Sequence, residues 1–204
     1  MLCRNLSQGL HAAAQPLAIL RASLDSSLTE SMSAEDFRRL AASLALEVDR
    51  VCLFFTFLQQ FVAAESVKPI LSAMPILPLL EYSIDGVLQL FQKSGINLSP
   101  ALPAVCPPVL VDRGRALQVF STVLLAAHAV SRAGDTVEFT ALESFSNTVR
   151  VTVRNLESKI ETLDVEQRFG VALAEANTRS QQGAFSWSLN PFNMQIEFQN
   201  APAT

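Results

Sequence analysis

Apolar residues at Cys3, Leu6, Leu10, Ala13, Leu17, Leu20 and Leu24 fall at gaps that alternate three and four. That spacing returns to one side of a helix every seven residues. It predicts an amphipathic helix over residues 2–28, packed against other helices. With Cys3 at the first heptad position, His11 takes the second and Gln15 the sixth. Both then fall on the outward strip, stacked one turn apart at i and i+4. A break at Ser31-Met32-Ser33 is followed by Ser33-Ala34-Glu35-Asp36, a capping box that opens a second helix. In it Ala41, Leu44, Val48, Val51, Phe55, Leu58 and Val62 repeat the three–four spacing, and Leu46, Leu53, Phe57 and Phe61 form a second apolar row. The first helix satisfies one row, and the other needs a further partner. Two antiparallel hairpins closing into a dimeric four-helix bundle supply it. The alternative cover is the carboxy-terminal half of the chain.

Beyond Glu65 the periodicity shortens. Residues 66–71 read as a short edge strand, 74–78 as a proline-punctuated loop, and 79–93 as a helix closed by Gly95. Short strands are expected at 96–98 and 109–111, on either side of the proline-rich stretch 100–108. Asp112 caps a helix running to about Arg132. Strands at 136–142 and 148–154 form a hairpin around Ser146-Asn147, and Val149-Arg150-Val151-Thr152-Val153-Arg154 alternates with one face buried and one wet. A helix over 164–179 leads to a last hairpin, 184–189 and 194–199, turned by Asn190-Pro191-Phe192-Asn193. Trp187 alternates with Phe185 and Leu189 and reads as core. Helices and antiparallel strands without a repeating βαβ order give an α+β layer, helices on one face of a mixed sheet. Two domains follow: a helical hairpin over 1–65 and an α/β sandwich over 66–204.

Composition narrows the function classes. Half of the 204 residues are hydrophobic and only 17% are charged, an apolar balance that points to surface hidden in an oligomer. The uncharged runs 5–20 and 116–131 are shorter than the ~20 residues of a spanning helix. The run 96–111 is broken by prolines, so no membrane segment is expected. Residues 5–16 are too polar for a signal peptide's apolar region. Cys3, Cys52 and Cys106 show no paired or metal-like spacing, which suits a reducing cytoplasm. A net charge of −4 with scattered basic residues gives no nucleic-acid footprint. Neither a metal nor a cofactor is expected.

The chemistry centres on the histidines. An exposed imidazole at His11 keeps a free nitrogen near neutral pH and can attack a phosphoryl donor, although a plain surface histidine fits the same pattern. His128, inside Leu124-Leu125-Ala126-Ala127-His128-Ala129-Val130, reads as a hydrogen-bonded, half-buried histidine. The Arg38-Arg39 pair reads as a solvated face.

The run His11-Ala12-Ala13-Ala14-Gln15-Pro16-Leu17, on a hairpin followed by this α/β order, resembles the catalytic core of bacterial sensor histidine kinases. Those carry a phosphoaccepting histidine followed by an acid and, at the fifth and sixth places, Pro-Leu, often with Gln before it. Here Ala12 stands where the acid belongs. The resemblance continues through Leu117-Gln118-Val119-Phe120 to Gly134-Asp135-Thr136-Val137, where Thr122 and Ala126 hold the asparagine-box positions. At Val153-Arg154-Asn155-Leu156-Glu157-Ser158-Lys159-Ile160, Asn155 replaces the adenine-reading aspartate, and Glu157 and Lys159 replace two glycines. About eight residues separate Ile160 from Phe169-Gly170-Val171-Ala172, too few for the nucleotide-covering lid, and the second glycine box survives only as Gly170.

These departures imply an ATPase-like domain that does not bind ATP. Ala126 has no oxygen for Mg²⁺, and Glu157 adds bulk and negative charge where glycine admits the nucleotide. Asn155 still accepts a hydrogen bond and decides little by itself. A histidine-bearing dimeric bundle joined to an ATP-blind domain resembles the ChpT-type histidine phosphotransferases. These relay phosphoryl groups between response-regulator aspartates, with the regulator supplying Mg²⁺. That resemblance implies His11 as phosphoacceptor, Gln15 as its neighbour in the site, and a receiver domain as partner. The competing reading is a catalytically inert pseudokinase dimer that scaffolds or sequesters a regulator.

Overall fold

The computed structural model describes residues 14, 16–27, 33–144 and 146–202. His11, Gln15, Cys3 and the break before Ser33 lie outside the described residues. Two compact units divide the chain, the first ending at Val62 and the second beginning at Ala63.

In the first unit, residues 16–27 are helical (α1) and α2, Ala34–Ser66, begins; its last four residues, from Ala63, belong to the second unit. The start of α2 falls where the capping box predicts it. Ser33 Oγ accepts the Asp36 N–H at 3.1 Å and donates to the Asp36 carboxylate at 2.5 Å. The heptad register differs from the sequence expectation. The side of α2 covered within the chain runs through Leu40, Leu44, Glu47, Val51, Phe54, Leu58 and Phe61, with gaps of four and three. Leu44, Val51 and Leu58 belong to the expected seam, but Val48, Phe55 and Val62 stand 47%, 48% and 44% exposed. On α1 the better-covered residues are Pro16, Leu20, Ser23 and Ser27, while Leu17 and Leu24 stay half-exposed. Spacing alone could not separate these registers, because apolar residues occupy adjacent positions (Phe54 beside Phe55, Phe61 beside Val62). Phe61 therefore belongs to the covered side and not to a free row.

The second unit contains β1 (Ser72–Met74), α3 (Ile76–Lys93), β2 (Asn97–Ala101), β3 (Val109–Val111) and α4 (Arg113–Ala129). After these come β4 (Thr136–Ser144), β5 (Thr148–Asn155), α5 (Val165–Ser180), β6 (Ala184–Leu189) and β7 (Phe192–Gln199). A five-stranded mixed sheet has the order β2-β4-β5-β7-β6, and β1 pairs with β3 in a small antiparallel sheet. Only the β2–β4 pair of the larger sheet is parallel. The alternation expected for β5 is realised. Val149, Val151 and Val153 are fully buried beside Phe139 of β4 and Met194 and Ile196 of β7. On the outer face Arg150 pairs with Glu197 at 2.6 Å and Arg154 pairs with Glu138. Phe91 of α3 and Phe120 and Leu124 of α4 join the same core. Each large apolar side chain so buried contributes about 1.5–3 kcal/mol.

Several boundaries shift for local reasons. No strand forms at 66–71: α2 continues to Ser66, and the Val67 carbonyl and Ile70 N–H bond to side chains of Arg115 and Asp112. α3 starts at Ile76 instead of Leu79. Pro78 falls in its first turn, where a helix leaves the N–H groups without intrahelical acceptors anyway. β2 runs through Pro100 because it is an outer strand with one neighbour. α4 ends at Ala129, three residues early. β7 begins at Phe192, so the last turn is Asn190-Pro191 alone. Trp187 is a correction: it shares the core-facing side of β6 with Phe185 and Leu189 but is 43% exposed, because β6 is the other outer strand.

Candidate functional site

Asn155 ends β5 and is fully buried. Its Nδ2 donates to Ser131 Oγ at 2.7 Å and to Asp135 Oδ2 at 2.9 Å. Its Oδ1 accepts the N–H groups of Glu157 at 2.9 Å and Ser158 at 3.1 Å. A carboxamide offers two donors and two acceptor lone pairs, so all four capacities are taken inside the protein. Asn155 does accept hydrogen bonds, as the sequence implied, but both come from the protein's own backbone. Its carboxamide is a strut tying the loop after α4 to the loop after β5. Asp135 completes the tie by accepting the Arg132 N–H at 2.9 Å. That bond, the bond from Asn155 and the nearby Arg132 charge outweigh burial and hold the Asp135 carboxyl below the ordinary carboxylate range.

The other positions that the sequence resemblance assigns to the nucleotide boxes are filled by packing and capping contacts. The Ala126 methyl is buried in the core beside Ala127 and Val123. Gly170 lies on α5 where an added Cβ would meet Thr122 Cγ2 at 3.3 Å, so close packing of α5 on α4 accounts for this glycine. Leu163 is buried in the core, and the Asp164 side chain and Gln167 form a reciprocal capping box that starts α5. The loop between β5 and α5 is thus pinned at both ends. Between it and the loop after α4 lies a cavity of about 200 Å³, lined by Val130, Arg132, Asp135, Glu157, Ser158, Lys159 and Ile160. At the positions the sequence resemblance assigns to Mg²⁺-ATP the residues present do not fit that group: Ala126 has no oxygen for a metal, Asn155 is saturated, and Glu157 adds charge of the nucleotide's own sign.

His128 is placed as the sequence implied. Its Nε2 lies 2.8 Å from Ser94 Oγ, and its ring packs edge-on to Phe91 at 5.1 Å between centroids. Burial lowers its pKa, so the neutral ring is favoured. Among the described residues no group of three His, Cys, Asp or Glu stands together as a metal set.

A second polar centre escaped the sequence reading. Arg115 of α4 donates to the carbonyls of Ala63 (3.3 Å), Ala64 (3.0 Å) and Val67 (2.5 Å) and to Ser180 Oγ (2.7 Å). α2 has no basic residue in its last turn, so Arg115 brings the positive charge its carbonyl end favours. Asp112 accepts the Ile70 and Arg115 N–H groups, and its own N–H donates to Gln181 Oε1 at 2.7 Å. Burial raises the Asp112 pKa, but those N–H bonds, a further one from Gly114 and the Arg115 charge together bring it below the ordinary value. Only the capping role of Asp112 was legible; partners some fifty residues away leave no local trace.

No protein-family model matches the chain, and no curated protein matches it. Solved structures do. The histidine kinase AdeS of Acinetobacter baumannii superposes with a TM-score of 0.72 at 17% identity, covering 94% of this chain and 98% of that one. The chain carries the fold of a sensor histidine kinase core. A histidine kinase ThkA in complex with the response regulator TrrA gives 0.74 at 14% identity, over 97% of this chain and 61% of that one. Full-length ShkA in complex with AMPPNP gives 0.65 at 17%, over 98% and 46%. The histidine-kinase fold, a helical hairpin followed by an ATPase-like α/β sandwich, therefore stands as the sequence resemblance implied. No helix of the described residues is long and apolar enough to cross a membrane.

Proposed function

We propose that this chain is a histidine phosphotransferase-like component of a cytoplasmic two-component phosphorelay, without ATP binding or autokinase activity. In this reading residues 1–65 form the phosphoacceptor and dimerisation domain and residues 66–204 a degenerate ATPase-like domain. The observation that carries it is a histidine-kinase fold in which the adenine-reading position, Asn155, is buried with every hydrogen-bonding capacity spent internally. A fold kept without its nucleotide chemistry is left with the other half of the kinase's work, exchange with a receiver domain. The ThkA–TrrA complex supports that partner class.

His11 is the proposed phosphoacceptor, with Gln15 one turn on to orient the ring. The proposal requires the register of residues 16–27 to continue back to His11. So continued, at 100° per residue, it sets His11 well away from the side holding Pro16, Leu20, Ser23 and Ser27. An imidazole nitrogen attacks the phosphorus of a receiver's aspartyl phosphate. The P–N bond forms as the P–O bond breaks, and the aspartate leaves as its carboxylate. The reverse step passes the group to a second receiver.

A homodimer belongs to the same proposal. On α2, Val48, Phe55 and Val62 repeat every seven residues on one flank of the covered side, and Leu46 and Leu53 do so on the other. A second hairpin would cover these flanks. The function is tested by transfer: a phosphorylated receiver domain should label the wild-type protein and leave His11→Ala unlabelled.

A further inference from the structure

We infer that the cavity between the loop after α4 and the loop after β5 is a binding site for a small zwitterion of the free amino-acid class. The inference does not rest on the proposed phosphorelay role. The cavity has built walls: Asn155, fully buried, fixes both loops through four hydrogen bonds. It also holds polar groups without protein partners. Ser158 lines it, is only 5% exposed, and its Oγ has no hydrogen-bond partner. A buried hydroxyl left unpaired is costly, but this Oγ is closed off from solvent, so the contacts to a ligand fall to Glu157 and Lys159.

Charge selects the class. Asp135 and Arg132 already act on each other, and Asp135 is committed to Asn155 and to the Arg132 N–H. Glu157 and Lys159, which also line the cavity, are in no ion pair among the described residues. One free carboxylate and one free ammonium complement a ligand bearing both charges a few bonds apart. The lining gives a polyanion no net positive charge to bind, because Asp135 and Glu157 offset Arg132 and Lys159. Size agrees: about 200 Å³ is below the ~300–1,000 Å³ of pockets for larger organic ligands. The apolar walls from Val130 and Ile160 suit a short aliphatic side chain or stem.

The test is calorimetric titration of the full-length protein with L-alanine and L-glutamine, beside N-acetylalanine (no ammonium), alaninamide (no carboxylate) and ATP. The expected result is saturable binding of at least one amino acid, at least about tenfold weaker binding of its singly charged analogues, and none of ATP. Glu157→Gln and Lys159→Met, both exposed and unpaired, should fold normally and each weaken binding about tenfold or more. Ser158→Ala should raise the unfolding midpoint of the free protein, since it removes a buried hydroxyl without a partner, and should leave ligand affinity nearly unchanged. No saturable binding of either amino acid up to about 10 mM, equal binding of the singly charged analogues, or affinity unchanged in Glu157→Gln and Lys159→Met, overturns the inference.

Discussion

The Asn155 carboxamide nitrogen lies 2.9 Å from the Asp135 carboxylate, a buried donor facing an acceptor whose charge it helps to hold. An aspartate at 155, the residue of ATP-binding relatives in the sequence resemblance, would place two carboxylates there. The aspartate that the sequence resemblance puts at this position and this chain's loop geometry are therefore incompatible without a change at Asp135.

Asn155→Asp should accordingly destabilise the protein by about 3 kcal/mol, through a buried charge facing a like charge and the loss of both donated bonds. Denaturant unfolding reads this directly. The variant should not acquire ATP binding, because Ala126 and Glu157 are unchanged. Near-neutral stability would show that the strut is dispensable.

Arg115→Met should cost about 2 kcal/mol through its charge-assisted bonds to the carbonyls of Ala63, Ala64 and Val67. Amide exchange should accelerate most at residues 63–70, the segment that Arg115 and Asp112 hold. Exchange rising uniformly instead would assign Arg115 to global packing.

The α2 register makes a paired prediction. Leu46→Asp with Phe55→Asp changes exposed positions and should convert a dimer to a folded monomer in light scattering. Phe54→Asp or Phe61→Asp, at buried positions, should unfold the first unit, at a cost of several kcal/mol for each buried charge. A wild-type monomer at micromolar concentration would remove the dimer from the proposal.

His128 supplies a pH signature. Its folded-state pKa is lowered by burial below the unfolded value of about 6.5. The unfolded chain therefore binds the proton first as pH falls, so the stability tied to the neutral ring is present above about pH 6.5 and is lost below it. His128→Gln should flatten the stability profile just below pH 6.5. At lower pH the lowered Asp112 and Asp135 values predict a second loss, beginning as pH falls through about 4.

What the sequence made legible follows from how local each signal is. Caps at Ser33 and Asp112 and the alternation at Val149–Val153 are written in neighbouring residues, and they predicted element starts and faces closely. The α2 register was not legible, because an arc of adjacent apolar residues fits two seams and only packing chooses between them. The same limit hid the Arg115 contacts and the saturation of Asn155, whose partners come from other loops. Trp187 shows it in reverse: alternation gave the correct face but could not tell that β6 ends the sheet. The nucleotide-box substitutions were readable as chemistry, since no packing arrangement gives Ala126 an oxygen. His11 and Gln15 remain proposals from sequence and register.

The most direct measurement of the central claim offers the protein two radiolabelled phosphoryl donors in parallel, ATP with Mg²⁺ and a phosphorylated receiver domain from its host's regulators. The account predicts no label from ATP. From the receiver it predicts acid-labile, base-stable label on the wild type, as a phosphoramidate requires, and none on His11→Ala. Label from ATP, or no label from any receiver of the host, would contradict it.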